Sequence, residues 1–321
     1  MPNKLIAKIL DRPELQAQPP VLMDIGAAGA LPKAWRTLAK YAICLAFEAD
    51  ERDLAPVEEQ GQDFKVRYIY PKVATSEQDA TVEFYLTSSP HCSSTLEPDL
   101  ESLAKYGAED LFTIQKRQKF PAVQLANVLK ERHLDYVDWF KTDSQGTDLR
   151  LFKSLGAEII AKVLVAEFEP GIIDAYQGED KLYALMAYMD KQNFWLSDME
   201  LKGFVRAEKT LIKSSLRKWE IRFMDKFHKK APGWAEVRYL NNGNDLSKRD
   251  LLLAWIFAML SRQYFFAMKL AITGEKQFQD ELFLQMQVCA KKIIRRQAWC
   301  LGFMVPAWLG RKIGRKLFGN D

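Results

Sequence analysis

The sequence predicts an α/β fold, a doubly wound and mostly parallel sheet followed by an α-helical C-terminal region. Three observations carry this expectation. From residue 21 to about 205, short apolar runs alternate with stretches of helical periodicity, the pattern of a parallel sheet covered on both faces. After 205, apolar residues recur at helical spacings instead. The charge changes at the same place: from Arg206 to Asp321 there are 23 Lys+Arg and 10 Asp+Glu, whereas the remainder holds 23 basic and 32 acidic residues. Two units are therefore expected, residues 1–205 and a basic helical region over 206–321.

The elements follow in order. Residues 1–20 read as a short helix and a loop ending at Pro19-Pro20. Strands are expected at Val21–Asp24, Ile43–Glu48 and Val66–Tyr70, with a helix over Pro32–Tyr41 between the first two. Thr81–Leu86 alternates, with Val82, Phe84 and Leu86 on one side, and suggests an antiparallel addition. Leu125–Arg132, Leu149–Leu155 and Lys181–Lys191 read as helices; Tyr136–Lys141, Val163–Phe168 and Asn193–Asp198 read as strands. Beyond 205, helices are expected over Lys209–Lys229, Leu251–Thr273 and Lys276–Cys300, with a polar turn at Asn241-Asn242-Gly243-Asn244.

Composition excludes several classes. At 321 residues, 48% apolar and 27% charged, the chain has the make-up of a globular protein. Cys44, Cys92, Cys289 and Cys300 form no CxxC pair, and with only three histidines (His91, His133, His228) no metal site is expected. Unpaired thiols suit a reducing compartment, and the N-terminus lacks a signal-peptide core, so a cytoplasmic location is expected.

Candidate chemistry gathers where strands end. Val21–Asp24 runs into the small residues Ile25-Gly26-Ala27-Ala28-Gly29, a turn at which backbone can approach a ligand. The next strand ends at Glu48 and Asp50, and Gly26 to Glu48 is 22 residues, close to the roughly 20 expected for an acid that accepts from ribose hydroxyls. The pair predicts a Rossmann-like pocket for a nucleoside-bearing cofactor. Further strands end at Asp143 and at Glu167 with Glu169, and ligands of open parallel sheets bind beyond such ends. Lys141, Asp143 and Gln145 form the second dense cluster; Asp148 beside them is either a further acid of the site or, on the blander reading, a cap of the following helix.

These residues carry a resemblance. The segments VLMDIGAAGALPKAW, AFEAD, VATSEQDATVEFYLTSSPHCSSTL, VDWFKTDSQGTDLRLFKSLG and LVAEFEPGIIDAYQGEDKLY resemble, in order and spacing, the FkbM-type S-adenosylmethionine-dependent methyltransferases over roughly residues 20–205. The resemblance implies a methyltransferase sheet, S-adenosyl-L-methionine as cofactor, and O-methylation of a sugar, polysaccharide or glycolipid. It implies that Asp24, Gly26, Ala27, Gly29, Glu48 and Asp50 bind the cofactor, and that Lys141 and Asp143 sit at the methyl-transfer centre. The chain departs from the family pattern at Gly29, one position early, at Ala49 in place of proline, at Thr95 within the Ser-Leu step, and at Asp148 in place of glutamate.

A hydroxyl acceptor must lose a proton, so a carboxylate base is expected, Asp143 first and Glu167 second. Lys141 orients Asp143 or meets an anionic acceptor. His91, Ser93, Ser94 and Gln145 are the expected acceptor contacts; His133 and His228 read as surface or packing residues. Two rival readings are a nicotinamide-dependent oxidoreductase and a non-catalytic module of the same fold that binds a partner through its basic helices.

In the tail, Lys291, Lys292, Arg295 and Arg296 precede Trp299–Leu309, and Arg311, Lys312, Arg315 and Lys316 follow it. An apolar patch between basic clusters predicts peripheral contact of residues 290–321 with an anionic membrane face; the alternative is a helix packed on the protein itself. No nucleic-acid recognition module is visible, and no nucleic-acid partner is expected.

Overall fold

The computed structural model describes residues 2–27, 31–50, 52, 64–77 and 81–317. They fall into two compact units, one of residues 18–244 and one of residues 1–17 with 245–321.

The larger unit holds β1 (Val21–Ile25), β2 (Ile43–Phe47), β3 (Val66–Tyr70), β4 (Val73–Thr75), β5 (Thr81–Thr87), β6 (Ile114–Gln124), β7 (Trp139–Thr142), β8 (Val165–Phe168), β9 (Phe194–Phe204) and β10 (Ala231–Asn241). Seven of them form one sheet in the order β3-β2-β1-β7-β8-β10-β9. β1, β2, β3, β7 and β8 run parallel; β10 is antiparallel to both β8 and β9, so β9 points the same way as the parallel strands. The order reverses between β1 and β7, which is the switch point of the sheet.

The parallel strands form where the apolar runs predict them, because strands covered on both faces select continuous Val, Ile, Leu and Phe. All five residues of β1 are buried. Phe140, Phe152 and Phe168 meet at centroid distances of 5.1–5.9 Å and fix β7, β8 and the helix Asp148–Ser154 to one another. Thr81–Leu86 does pair antiparallel, with β6, but in a separate three-stranded sheet of order β4-β6-β5.

The boundary expected at 205 is displaced. β10 completes the main sheet, so the first unit runs to Asn244. Residues 1–17 group instead with the C-terminal helices, and a charge cluster explains the grouping. Arg12 Nη2 and Lys248 Nζ lie 2.8 and 2.9 Å from Asp280 Oδ2, and Lys248 reaches Glu14 at 3.0 Å. Within this unit Lys248–Leu260 is buried almost all round, as a helix in the middle of a bundle must be. Gly274 of Tyr264–Phe278 leaves room for the Phe283 ring, since a Cβ there would come within 2.2 Å of it.

The helix expected over Leu251–Thr273 is broken at Arg262, whose φ is +60°. Lys209–Lys229 is likewise not one helix. Leu216 is extended, and the Glu220 carboxylate accepts from Arg217 N–H, so a new turn starts there. The last helix, Glu281–Leu317, covers most of the expected docking segment 290–321; residues 318–321 and the side chains from 300 onward lie outside the described residues. Among the described residues, no helix is long and apolar enough to cross a membrane.

Candidate active site

Two clefts open at the carboxyl edge of the main sheet and share one wall. The first, about 670 Å³ and open to solvent, is lined by Gly26, Glu48, Asp50, His91, Ser93, Asp143 and Gln145, with apolar walls from Phe47, Val73 and Phe84. The second, about 580 Å³, is lined by Lys141, Asp143, Glu167, Glu169, Asp198, Glu200, Glu236 and Arg238. Asp143 borders both.

The turn after β1 is built around Gly26. Its φ is +72°, and a Cβ there would lie 2.2 Å from the Asp143 carbonyl oxygen, so no other residue fits. Gly26 and Ala27 N–H donate to the Phe47 carbonyl at 3.0 and 3.1 Å, and Asp143 N–H donates to the Ile25 carbonyl at 2.9 Å. The ends of β1, β2 and β7 are thereby drawn together at the switch point. Gly29 lies outside the described residues.

Asp24 is 3% exposed and lies beneath this turn. It faces Lys141 in the β1–β7 register, and Lys141 Nζ donates to its Oδ1 at 2.7 Å. Burial pulls the Lys141 ammonium down, but Asp24, Asp143 and Glu167 outweigh it and hold the pKa above its ordinary value. Lys141 is thus a fixed cation between the clefts. Asp24 engages Lys141 on the wall of the second cleft, where acids outnumber the cations Lys141 and Arg238.

Glu48 follows β2. Its N–H donates to the Tyr70 carbonyl at 3.1 Å, and its Oε1 accepts from Asp50 N–H at 2.9 Å, which orients the carboxylate on the cleft wall. Asp50 lines the same cleft, but Arg52 grips it through Nε at 2.8 Å and Nη2 at 2.5 Å. Burial raises the Asp50 pKa; the Arg52 bonds more than offset this and leave it lowered. Arg52 also donates to the Thr87 carbonyl and to Ser93 Oγ, both at 3.0 Å. Asp50 and Ser93 therefore brace the cleft wall.

The loop after β7 positions Asp143. Gln145, at φ +56°, donates from Nε2 to Asp143 Oδ1 at 2.6 Å, while its Oε1 lies 2.8 Å from the Tyr176 hydroxyl. Ser94 Oγ donates to the Gln145 carbonyl at 2.7 Å and lines neither cleft. Ser94 thus orients the loop, where direct acceptor contact was expected, and Gln145 both orients Asp143 and lines the first cleft. Asp148 does not cap its own helix either. It is 1% exposed and accepts from Ser144 N–H, Ser144 Oγ, Thr142 Oγ1 and Glu169 N–H, tying the loop to the end of β8.

Burial raises the Asp143 pKa, with Asp24 adding to the rise, while Lys141, Gln145 and His91 favour the carboxylate. Glu169 is pushed up to about 8 by burial first, then by Asp143, Glu236 and Asp148. Burial and mutual repulsion thus hold both Asp143 and Glu169 above the usual carboxylate range. Glu167, the second expected base, pairs with Arg238 Nε across β8 and β10. Sequence reasoning noted Glu169 as a strand-end acid without giving it a role, and missed Glu236, Arg238, Tyr176 and Arg52. The alternation of buried Ala235, Val237 and Tyr239 with Glu236 and Arg238 is the signal that could have placed the β10 pair on a strand.

Among the described residues, no group of three or more His, Cys, Asp and Glu side chains is placed to hold a metal ion. A scan against protein-family models and a search of curated proteins each return no match to this chain.

Proposed function

We propose that the protein is an S-adenosylmethionine-dependent O-methyltransferase whose acceptor is a hydroxyl-rich molecule, a sugar, polysaccharide or glycolipid. The observation that carries this reading is the sharing of Asp143 by two clefts, one suited to a nucleoside and one suited to an acceptor.

The first cleft fits the cofactor by its donor set and shape. Glu48 at the end of β2 can accept from ribose hydroxyls, Phe47 and Phe84 offer apolar walls to an adenine ring, and Gly26 lets backbone approach the ligand. Bound there, S-adenosylmethionine supplies an electrophilic methyl group on a cationic sulfur. Asp143 favours that positive charge and faces the neighbouring cleft. Asp143 would take the hydroxyl proton of an acceptor held in the second cleft. The Lys141 charge favours the Asp143 carboxylate against burial, and Gln145 fixes its direction. The rest of the barrier falls through positioning, which can supply roughly 7–11 kcal/mol.

The acid-rich second cleft presents many hydrogen-bond acceptors and repels anions. That favours a polyhydroxylated acceptor and disfavours a nucleic acid. The sheet also argues against a nicotinamide enzyme, because the standard dinucleotide order places a sixth parallel strand where antiparallel β10 lies.

The test is transfer of label from methyl-labelled S-adenosylmethionine to a cell-envelope glycan fraction, by wild type and Asp143→Asn. The reading expects transfer by wild type, a loss of roughly 100-fold or more in the variant, and cofactor binding by both. Undiminished transfer by Asp143→Asn contradicts the assignment.

A further inference from the structure

The segment joining β9 to β10 has a composition that neither the cleft nor the core uses. Because β9 points the same way as β8, its last residue, Phe204, lies at the carboxyl edge of the sheet, where both clefts open. The chain then runs through three short helices, Lys209–Ser215, Lys218–Ile221 and Met224–Phe227, before returning as β10. Its base is pinned: Lys209 pairs with Glu109 and Asp110 at 3.1 and 2.5 Å, and Ile212 packs beside Gly107.

The outer part is apolar and basic together. Leu211 is 58% exposed, Trp219 59%, Phe223 43% and Phe227 80%. Residues 209–230 contain eight Lys and Arg against two acids, and Lys213, Arg217, Lys218, Arg222, Lys226 and Lys229 are exposed. Aromatic side chains grouped in water mark an interaction surface. A dry protein interface would have to desolvate the interleaved cations, which is costly. An anionic bilayer asks for no such thing: the rings enter the acyl boundary while the cations stay among headgroup phosphates. A nucleic acid could also stack on the rings, but exposed Leu211 has no face for a base to stack on and suits acyl chains.

We infer that residues 209–230 dock the catalytic unit on an anionic lipid surface, with the carboxyl edge of the sheet turned toward the membrane. This segment belongs to the sheet-bearing unit, whereas the tail at 290–321 belongs to the other unit. Combined with the proposed function, on which this last step rests, it makes the acceptor a lipid-linked glycan. Docking itself does not depend on methyl transfer.

The experiment is sedimentation of the full-length protein with vesicles of phosphatidylcholine alone, or of equal parts phosphatidylcholine and phosphatidylglycerol, without cofactor. Binding to the anionic vesicles alone, weakened by salt, is expected. Lys218→Glu/Arg222→Glu and Trp219→Ser/Phe223→Ser/Phe227→Ser should each bind roughly tenfold or more weakly. Both should melt as wild type does, since every altered side chain is exposed. Deletion of residues 300–321 should leave binding in place. The inference is overturned if wild type ignores anionic vesicles, if it binds single-stranded RNA in their stead, if both substituted proteins bind like wild type, or if the deletion abolishes binding. Cofactor affinity, measured separately, keeps a failure here distinct from failure of the methyltransferase reading.

Discussion

Lys141 Nζ lies 2.7 Å from Asp24 Oδ1 across the β1–β7 pair, and this contact joins the two strand ends at which the order of the sheet reverses. Asp24 is buried, and Lys141 is the cation paired with it. Removing one member of a buried pair leaves an uncompensated charge and costs about 3–5 kcal/mol. Lys141→Met should therefore lower stability in urea by about 3 kcal/mol. Adding Asp24→Asn to that variant should recover part of the loss, a coupling that independent sites would not show.

Asp148 predicts a pH dependence with a defined sign. Burial raises its carboxyl from 3.8 to about 6, against the donors from Ser144 and Glu169. Folding thus favours the protonated form. The stability it contributes is complete below 3.8 and is lost as pH rises through about 6. Thermal melts of wild type and Asp148→Asn should show a stability gap that narrows between about pH 4 and pH 7, by on the order of 3 kcal/mol. A gap that widens over this range would have the wrong sign.

Gln145 acts through Asp143 and is a positioning residue. Its amide joins the Asp143 carboxylate at 2.6 Å to the Tyr176 hydroxyl at 2.8 Å. Gln145→Leu should lower kcat by roughly tenfold, the effect of losing orientation and one hydrogen bond to a charged group. The KM for cofactor should hold, and Tyr176→Phe should give a weaker version of the same effect. Steady-state rates against cofactor concentration separate these outcomes; a rise in KM alone would make Gln145 a binding residue.

The parallel part of the sheet was legible because physics leaves few options there. β1, β2, β7 and β8 are largely buried, so each reads as a mostly apolar run that stops at a polar edge, while β3 at the sheet edge is half-buried. The first cleft was legible for the same reason, since Glu48 and Asp143 mark those edges. β6 was hidden: Ile114–Gln124 is mostly polar, half exposed and contains Pro121. β10 was hidden by Pro232 and Gly233 and by the helical stretch before it. With β10 went part of the acidic cleft, because Glu236 and Arg238 come from it, with Arg238 opposite Glu167 on β8. No residue type announces the break at Arg262, where φ is positive. Glu169 was visible as an acid, but its burial, which gives it a role, is a property of the folded loop.

The central claim is that the cleft between Gly26, Glu48 and Asp143 holds S-adenosylmethionine, and calorimetric titration of the cofactor into wild type and Glu48→Ala tests it most directly. The account predicts saturable binding by wild type. It also predicts affinity roughly tenfold or more weaker in the variant, the cost of lost hydrogen bonds to a carboxylate. Absence of binding to a folded wild type, or equal affinity in the two proteins, would contradict it.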